Sequence, residues 1–389
     1  MDANRYRQVE QAPVGGIGRD AHRTVCAAPA GRCRSAHAGY RGNMRRFQNI
    51  GALMLCACLF ACSGASREDA GPYLVEVTAL DHAFSAPDEV PAGWLTFKLN
   101  NEMAHEIHEI SLARLPEGID HQTYVAEYTN AWQTLLDEYR DGIIQRQEVG
   151  ARTAELLPEW GGDIVFITSR GLLSPGRIAS NSLYLEPGVY SMDCWVKSAD
   201  GQIHISEGMS RALTVTDNTH ESAKPHSGAV ITLSENTIDT DWEPAPGKHA
   251  FEVRLTFGLD GRPHNNNIHL IRLDEQTDLA EVNLWLDWYE PNGLMAPAPA
   301  DFLGGLNTYD ADPESRFWFS LEIDEPGMYA WVVWGPGQEL LAKEFEVPPY
   351  EDEPVTACGY AREYNNKLKT PAKEMLTAVE QSHMSMRKT

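Results

Sequence analysis

The chain has 389 residues, with 56 acidic against 32 basic side chains and a formal net charge of −24. That length exceeds one ordinary domain and predicts two or three. The acidity excludes nucleic acid as a partner, because phosphate recognition needs a basic surface.

The charge is unevenly spread. Residues 1–61 hold nine Arg and three acids, so the remainder carries 23 bases against 53 acids. Met44–Cys62, MRRFQNIGALMLCACLFAC, has a basic start at Arg45 and Arg46 and then a short apolar run. This is the layout of a secretory signal, too short to span a bilayer, with Met44 the expected initiator. The stretch LFACSGAS resembles the lipobox of bacterial lipoproteins; LCAC, ending at Cys58, is a rival with a shorter apolar run. The resemblance implies cleavage before Cys62, a lipid on that cysteine, and a tether over residues 62–71. It also implies an extracytoplasmic protein held to a lipid bilayer. Ser63 after the cysteine resembles the sorting pattern for the periplasmic face of the outer membrane.

The mature chain contains a repeat. SLYLEPGVYSMDCW (Ser182–Trp195) and FSLEIDEPGMYAWVVW (Phe319–Trp334) share Glu-Pro-Gly-x-Tyr and a closing Trp. Upstream, HEISLARL (His108–Leu115) is echoed by HLIRL (His269–Leu273), which sets His269 against His108. A helical pattern follows each echo. The first runs from an Asp120 cap to Gly142, with Tyr124, Tyr128, Trp132, Leu135 and Leu136 on its apolar face. The second runs from Thr277 to the Pro291 stop, with Val282, Trp285, Leu286 and Tyr289. Each unit opens on strand-like text, YLVEVTAL and AVITLSE, and its Glu-Pro-Gly turn feeds alternating residues, as in a hairpin.

The fold class expected is mostly β: two Greek-key sandwiches over residues 72–218 and 228–348, each with a helical insertion. A linker is expected at 219–227. A tail over 349–389 is expected to hold a short helix opened by Thr370-Pro371.

The stretch YSMDCWVKSADGQIHISEGM (Tyr190–Met209) brings Cys194, His204 and Met209 together in sequence. Thiolate, imidazole and thioether are soft, copper-favouring donors. Gly188-Val189-Tyr190-Ser191-Met192-Asp193-Cys194 followed by His204 and Gly208-Met209 resembles the cupredoxins, the blue-copper family that includes plastocyanin. The resemblance implies cupredoxin-like sandwiches and one type 1-like copper in the first, with an early His as the remaining ligand. LNNEMAHEIHEISL offers His105 and His108 for that place; strand parity favours His108, which shares the face of Ile110 and Leu112. Nine residues separate Cys194 from His204, against two to four in plastocyanin-like loops. The insertion, WVKSADGQI, is expected to be a small hairpin that folds out around Asp200-Gly201. In the second unit Val333 stands at the place of Cys194 and no His-Met follows, so copper is not expected there.

Two functions are open on this basis. One is a membrane-anchored copper protein that moves single electrons or carries copper through His108, Cys194, His204 and Met209, serving a redox or copper-acceptor protein. The other is a metal-free lipoprotein acting as a protein- or glycan-binding module. A disulfide between Cys194 and Cys358, permitted in an oxidising compartment, would remove the thiolate and favour the second. No enzymatic activity is expected, since a nitrite-reductase-type reaction needs a second copper with further His ligands and the sequence offers no set.

Overall fold

The computed structural model describes residues 71–349 apart from 103, 310–312 and 336–338. The signal segment, Cys62 with its tether, Cys358 and the tail helix at Thr370-Pro371 lie outside the described residues. The first repeat forms strands β1 (Tyr73–Leu80), β2 (Ala83–Ser85), β3 (Glu89–Asn100), β4 (Ser111–Arg114), β5 (Val165–Phe166), β6 (Thr168–Arg170), β7 (Ile178–Leu185), β8 (Gly188–Asp193) and β9 (Ser210–His220). The second forms β10 (Ala229–Leu233), β11 (Ile238–Thr240), β12 (Gly247–Leu255), β13 (Asn267–Leu273), β14 (Asp301–Thr308), β15 (Phe317–Ile323), β16 (Gly327–Val333) and β17 (Leu341–Val347). The chain is thus mostly β, with its described strands arranged in two sheets.

Alternation explains the strands. In β1, Val75, Val77 and Ala79 are buried while their neighbours face outward, and in β10 Ala229, Ile231 and Leu233 do the same. The two repeats pair alike. β1 lies parallel to β3, as β10 does to β12, and β3–β7 and β12–β15 are antiparallel. β8 runs between β4 and β9, as β16 runs between β13 and β17. The shared Glu-Pro-Gly-x-Tyr has a physical reason in both copies. The Tyr190 hydroxyl donates back to the Glu186 carbonyl at 2.9 Å, and Tyr329 to that of Glu325 at 2.7 Å, each tying a turn to the strand after it.

The sheets do not stop at the repeat boundary. β7 pairs antiparallel with β15, with Ala179 opposite Leu321, so one layer is continuous through both repeats. In the other layer β6 of the first repeat adds to β14 of the second. At that seam the Gly171 N–H donates to the Gly305 carbonyl at 3.0 Å. A Cβ on residue 171 would come within 2.2 Å of the Gly305 nitrogen, so the two backbones meet only because Gly171 has no side chain.

The helical insertion follows β4. Asp120 caps it by accepting from the Thr123 N–H at 2.7 Å. It runs as α1 (His121–Thr123), a π-helical turn (Tyr124–Thr129) and α2 (Asn130–Arg140), and it ends near Gly142 at φ +72. A further helix that the periodicity did not predict, α3 (Val149–Leu156), follows it. The expected second helix is shorter, α4 (Leu279–Trp285), and its cap is Asp278, because Thr277 is engaged with Asp274. Among the described residues no helix is long and apolar enough to cross a bilayer.

The insertion lies on the outer face of β4. Ile110 and Leu112 join the main core, while Ala113 joins a second cluster with Tyr124, Tyr128, Leu136, Trp195 and Ile203. Both faces of β4 are therefore covered, and Ser111 is as buried as Leu112 and Ala113 beside it.

One sequence correspondence is corrected. Arg114 lies opposite Tyr190 and Arg272 opposite Tyr329, so these arginines are equivalent. Ser111 opposite Asp193 then matches His269 opposite Val332, which makes His269 the counterpart of Ser111 and Asn266 that of His108. The two His-led stretches align by eye only with a shift of three residues, and an odd shift in a strand moves a side chain to the opposite face.

Candidate metal centre

Three side chains from different stretches converge in the first repeat. His108 lies between β3 and β4, bonded to Leu173 in both directions: its N–H donates to the Leu173 carbonyl at 3.0 Å, and its own carbonyl accepts at 2.9 Å. The approach to it is held by Asn101, fully buried, whose amide donates to the carbonyls of Glu106 and Leu173 at 3.0 and 2.8 Å. Cys194 directly follows β8, and its N–H donates to the Met209 carbonyl at 3.1 Å. The His204 N–H donates to the Val196 carbonyl at 2.9 Å, and the His204 carbonyl accepts from Met209 at 2.8 Å. Gly208, at φ +112, allows that tight return, which a side-chain-bearing residue would strain.

The donor atoms face one another. His108 Nδ1 and His204 Nδ1 are 3.2 Å apart, and Cys194 Sγ lies 3.7 Å from the first and 3.5 Å from the second. A triangle with those sides has a circumradius of about 2.0 Å, the length of a metal–imidazole bond. All three residues are fully buried, and Cys194 is a free thiol.

The protonation pattern fits a cation at the centre of this triangle. His204 Nε2 lies 2.9 Å from Glu106 Oε2, so the carboxylate holds the ring proton on Nε2 and leaves a lone pair on Nδ1. His108 has no such arrangement, since its Nε2 is buried without a hydrogen-bond partner among the described residues. If His108 carries its proton on Nε2, two lone pairs face each other at 3.2 Å; if on Nδ1, a bare acceptor is left buried. A metal ion drawn to both Nδ1 lone pairs removes the conflict between them. Burial pushes His108 down to about 4, and burial followed by the neighbouring His108 and His82 pushes His204 down to about 3, so both rings are neutral at pH 7 and available as ligands. Burial also pushes the Cys194 thiol up, so a metal must displace its proton.

Of the sequence candidates, the structure brings His108, Cys194 and His204 together. Met209 is fully buried in the same core as Cys194 and bonded through its backbone to both Cys194 and His204. His105 stands apart, its side chain 87 % exposed and paired with Asp81 at 2.9 Å. Glu106, Asn101 and His82, whose ring centre is 5.1 Å from that of His204, carried no sequence signal, because each belongs to the site only through tertiary contact. His82, Glu106 and His204 form a second grouping of metal-capable donors that shares His204 with the first.

The insertion between Cys194 and His204 is a hairpin, with Lys197 bridged to Ile203 and Gly201 at φ +88 in its turn. It does not fold out. Lys197 pairs by its backbone with Leu294 and Ala296, and Trp288 Nε1 donates to the Trp195 carbonyl at 2.8 Å, so the second repeat covers it. Trp195, Val196 and Ile203 are too apolar to be left in water.

Asp193 precedes Cys194 and is fully buried, accepting from Tyr124 at 2.8 Å and from Ser191 and Ser210 at 2.6 Å each. Burial pushes its carboxyl up to about 6 against those three bonds. A raised folded pKa means that its contribution is fully present below the unfolded value of 3.8 and is lost as pH rises through about 6. In metal-free protein, Asp193→Asn is expected to remove a decline on the order of 3 kcal/mol between pH 4 and 6. Urea unfolding across that range reads it, and an unchanged slope would show that Asp193 ionises normally.

No protein-family profile matches the chain, and no curated protein does. Solved structures do. Reduced auracyanin from Roseiflexus castenholzii is 18 % identical over 38 % of this chain and 99 % of its own, at a TM-score of 0.23. A blue copper oxidase from Nitrosomonas europaea is 12 % identical over 72 % of this chain and 86 % of its own, at 0.20. A copper-containing nitrite reductase from Thermus scotoductus is 11 % identical over 71 % and 61 %, at 0.18. The presence of two enzymes among them corrects the sequence expectation that the chain has no enzymatic activity. Likenesses this weak assign the chain no particular reaction, and its function is argued from its own residues.

Proposed function

We propose that the chain binds one copper ion through His108 Nδ1, Cys194 Sγ and His204 Nδ1, with Met209 as a weak fourth ligand, and that it transfers single electrons or carries copper. The observation behind this reading is the triangle of donors, equidistant at about 2.0 Å from one buried point. Bound there, copper would supply a one-electron couple, because thiolate and thioether favour Cu(I) while imidazoles also accept Cu(II). The residues around it hold the geometry: Glu106 fixes the His204 tautomer, Asn101 and Leu173 fix His108, and the covered hairpin keeps water from the thiolate. The lipobox-like stretch supports a lipid on Cys62, an extracytoplasmic place on a bilayer, and a redox or copper-acceptor protein as the partner.

Optical and EPR titration with Cu(II) after mild reduction tests this reading. The expected result is an intense thiolate-to-copper band that saturates at one copper per chain. A colourless protein that takes up neither Cu(II) nor Cu(I) would overturn it and leave a metal-free binding module.

A further inference from the structure

The turn between β1 and β2 consists of Asp81 and His82, and it sets the His82 ring beside that of His204, the centroids 5.1 Å apart. Asp81 Oδ1 accepts from the His105 N–H at 3.3 Å and lies 2.9 Å from the His105 ring. His105, which takes no part in the donor triangle, thus ties the loop that carries Glu106 to this turn. From the other side Glu207 follows His204 in a turn of its own, its N–H donating to the His204 carbonyl at 3.1 Å. Three stretches distant in sequence therefore bring His82, Glu106 and Glu207 to one place.

His82 Nε2 is the atom on which the oxygens converge. Glu207 Oε2 lies 3.5 Å from it, Glu106 Oε2 3.9 Å and Ser198 Oγ 3.4 Å. These spacings are long for hydrogen bonds. They are close to the separation of about 3.4 Å between neighbouring ligand atoms around a tetrahedral ion with bonds of about 2.1 Å. Protons to join the oxygens to the ring are short. The Ser198 hydroxyl gives its proton to Glu207 Oε2, and ionised carboxylates only accept. Among the described residues neither Glu106 nor Glu207 pairs with a Lys or Arg. The side chains of His82, Glu106 and Glu207 are 35, 31 and 25 % exposed, so an ion can reach them from solvent.

The donor set sorts the candidate ions. One imidazole among oxygens suits a borderline divalent cation better than soft Cu(I), and Zn(II) binds such ligands more firmly than Mn(II).

We propose that His82 Nε2, Glu106 and Glu207, with the Ser198 hydroxyl beside them, hold a second divalent cation of which Zn(II) is the type. None of these side chains belongs to the donor triangle, so the site does not rest on copper being bound there. Glu106 nevertheless touches both places. One of its lone pairs takes the His204 ring proton, and the carboxylate keeps others for the ion.

The test is zinc uptake by the full chain freed of metal by chelation, followed by calorimetry and by metal analysis after dialysis. A thiolate with two imidazoles also takes Zn(II), so the parent should hold two ions and Cys194→Ser one. His82→Ala and Glu207→Gln should each remove the other ion, and both replace partly exposed side chains, so the fold should persist. Adding Glu207→Gln to Cys194→Ser should weaken the remaining uptake about tenfold or more. A single ion in the parent, kept by Cys194→Ser and lost in Glu207→Gln, would support this site while removing the triangle. Zinc uptake unchanged in both His82→Ala and Glu207→Gln would overturn the proposal and leave His82 as a plain ion-pair partner of the two carboxylates. Uptake lost entirely with Cys194 would overturn it as well.

Discussion

Cys194→Ser is expected to leave a folded protein that shows no thiolate-to-copper band and binds copper at least about a thousandfold more weakly. Serine has the shape of cysteine with a smaller Oγ, and Cys194 directly follows β8 with its backbone bonded to Met209, so the local structure survives the change. What is lost is the anionic donor, since a serine hydroxyl does not ionise near neutral pH and two neutral imidazoles hold copper far less firmly. Thermal unfolding of the metal-free variant should fall within about 1 kcal/mol of the parent, because the Sγ contacts to the two rings, at 3.5 and 3.7 Å, are weak hydrogen bonds. His105→Ala is the matching control, with no expected change in colour or stoichiometry. Retention of the full band by Cys194→Ser would sink the proposed ligand set.

Lys197→Ala is expected to cost about 3 kcal/mol of folding stability or more. Lys197 is 1 % exposed, and its ammonium donates to two carbonyls, those of Trp288 and Glu290, at 2.8 Å each. Truncation leaves both acceptors short of a partner, at about 1–3 kcal/mol for a buried polar group, and empties the space of a four-carbon stem. Lys197→Met should recover the packing part and fall between the two. The pH dependence separates charge from packing. Burial holds this amine down to about 7, opposed by Asp287 and Glu290, against 10.5 in an exposed lysine. Between those values the unfolded chain binds more protons than the native one, so stability rises with pH across the window, and Lys197→Met should flatten the rise. Urea unfolding at pH 7 and pH 10 measures both effects; a loss in Lys197→Ala below about 0.5 kcal/mol would show that the ammonium bonds are not formed. The consequence reaches the metal centre, because the same hairpin carries His204.

The wider architecture divides along similar lines. Alternating strands, the Asp120 cap and the Glu-Pro-Gly-x-Tyr turns were legible in the chain, since each depends on residues within a few positions of one another. The join between repeats through β7 and β15 was not, because edge pairing leaves no local pattern, and neither was the glycine contact at the β6–β14 seam. α3 was missed because only Val149 of its eight residues is buried, which leaves no apolar periodicity to read.

What the sequence determined by itself is the donor chemistry and its order: a thiol, an imidazole and a thioether behind a glycine, with backbone bonds short enough in sequence to hold Cys194, His204 and Met209 as one unit. Only the tertiary structure decided how far His108 lies from that unit, which of its own and the His204 nitrogens face the thiol, and that Glu106 locks a tautomer. It also decided that His269 belongs with Ser111 rather than with His108. The reason is physical. A side chain's type and local spacing are written along the chain, but strand register, the partner across a sheet and the proton on a buried ring are set by segments about 70–100 residues away, which compete for the same position until the whole molecule has packed.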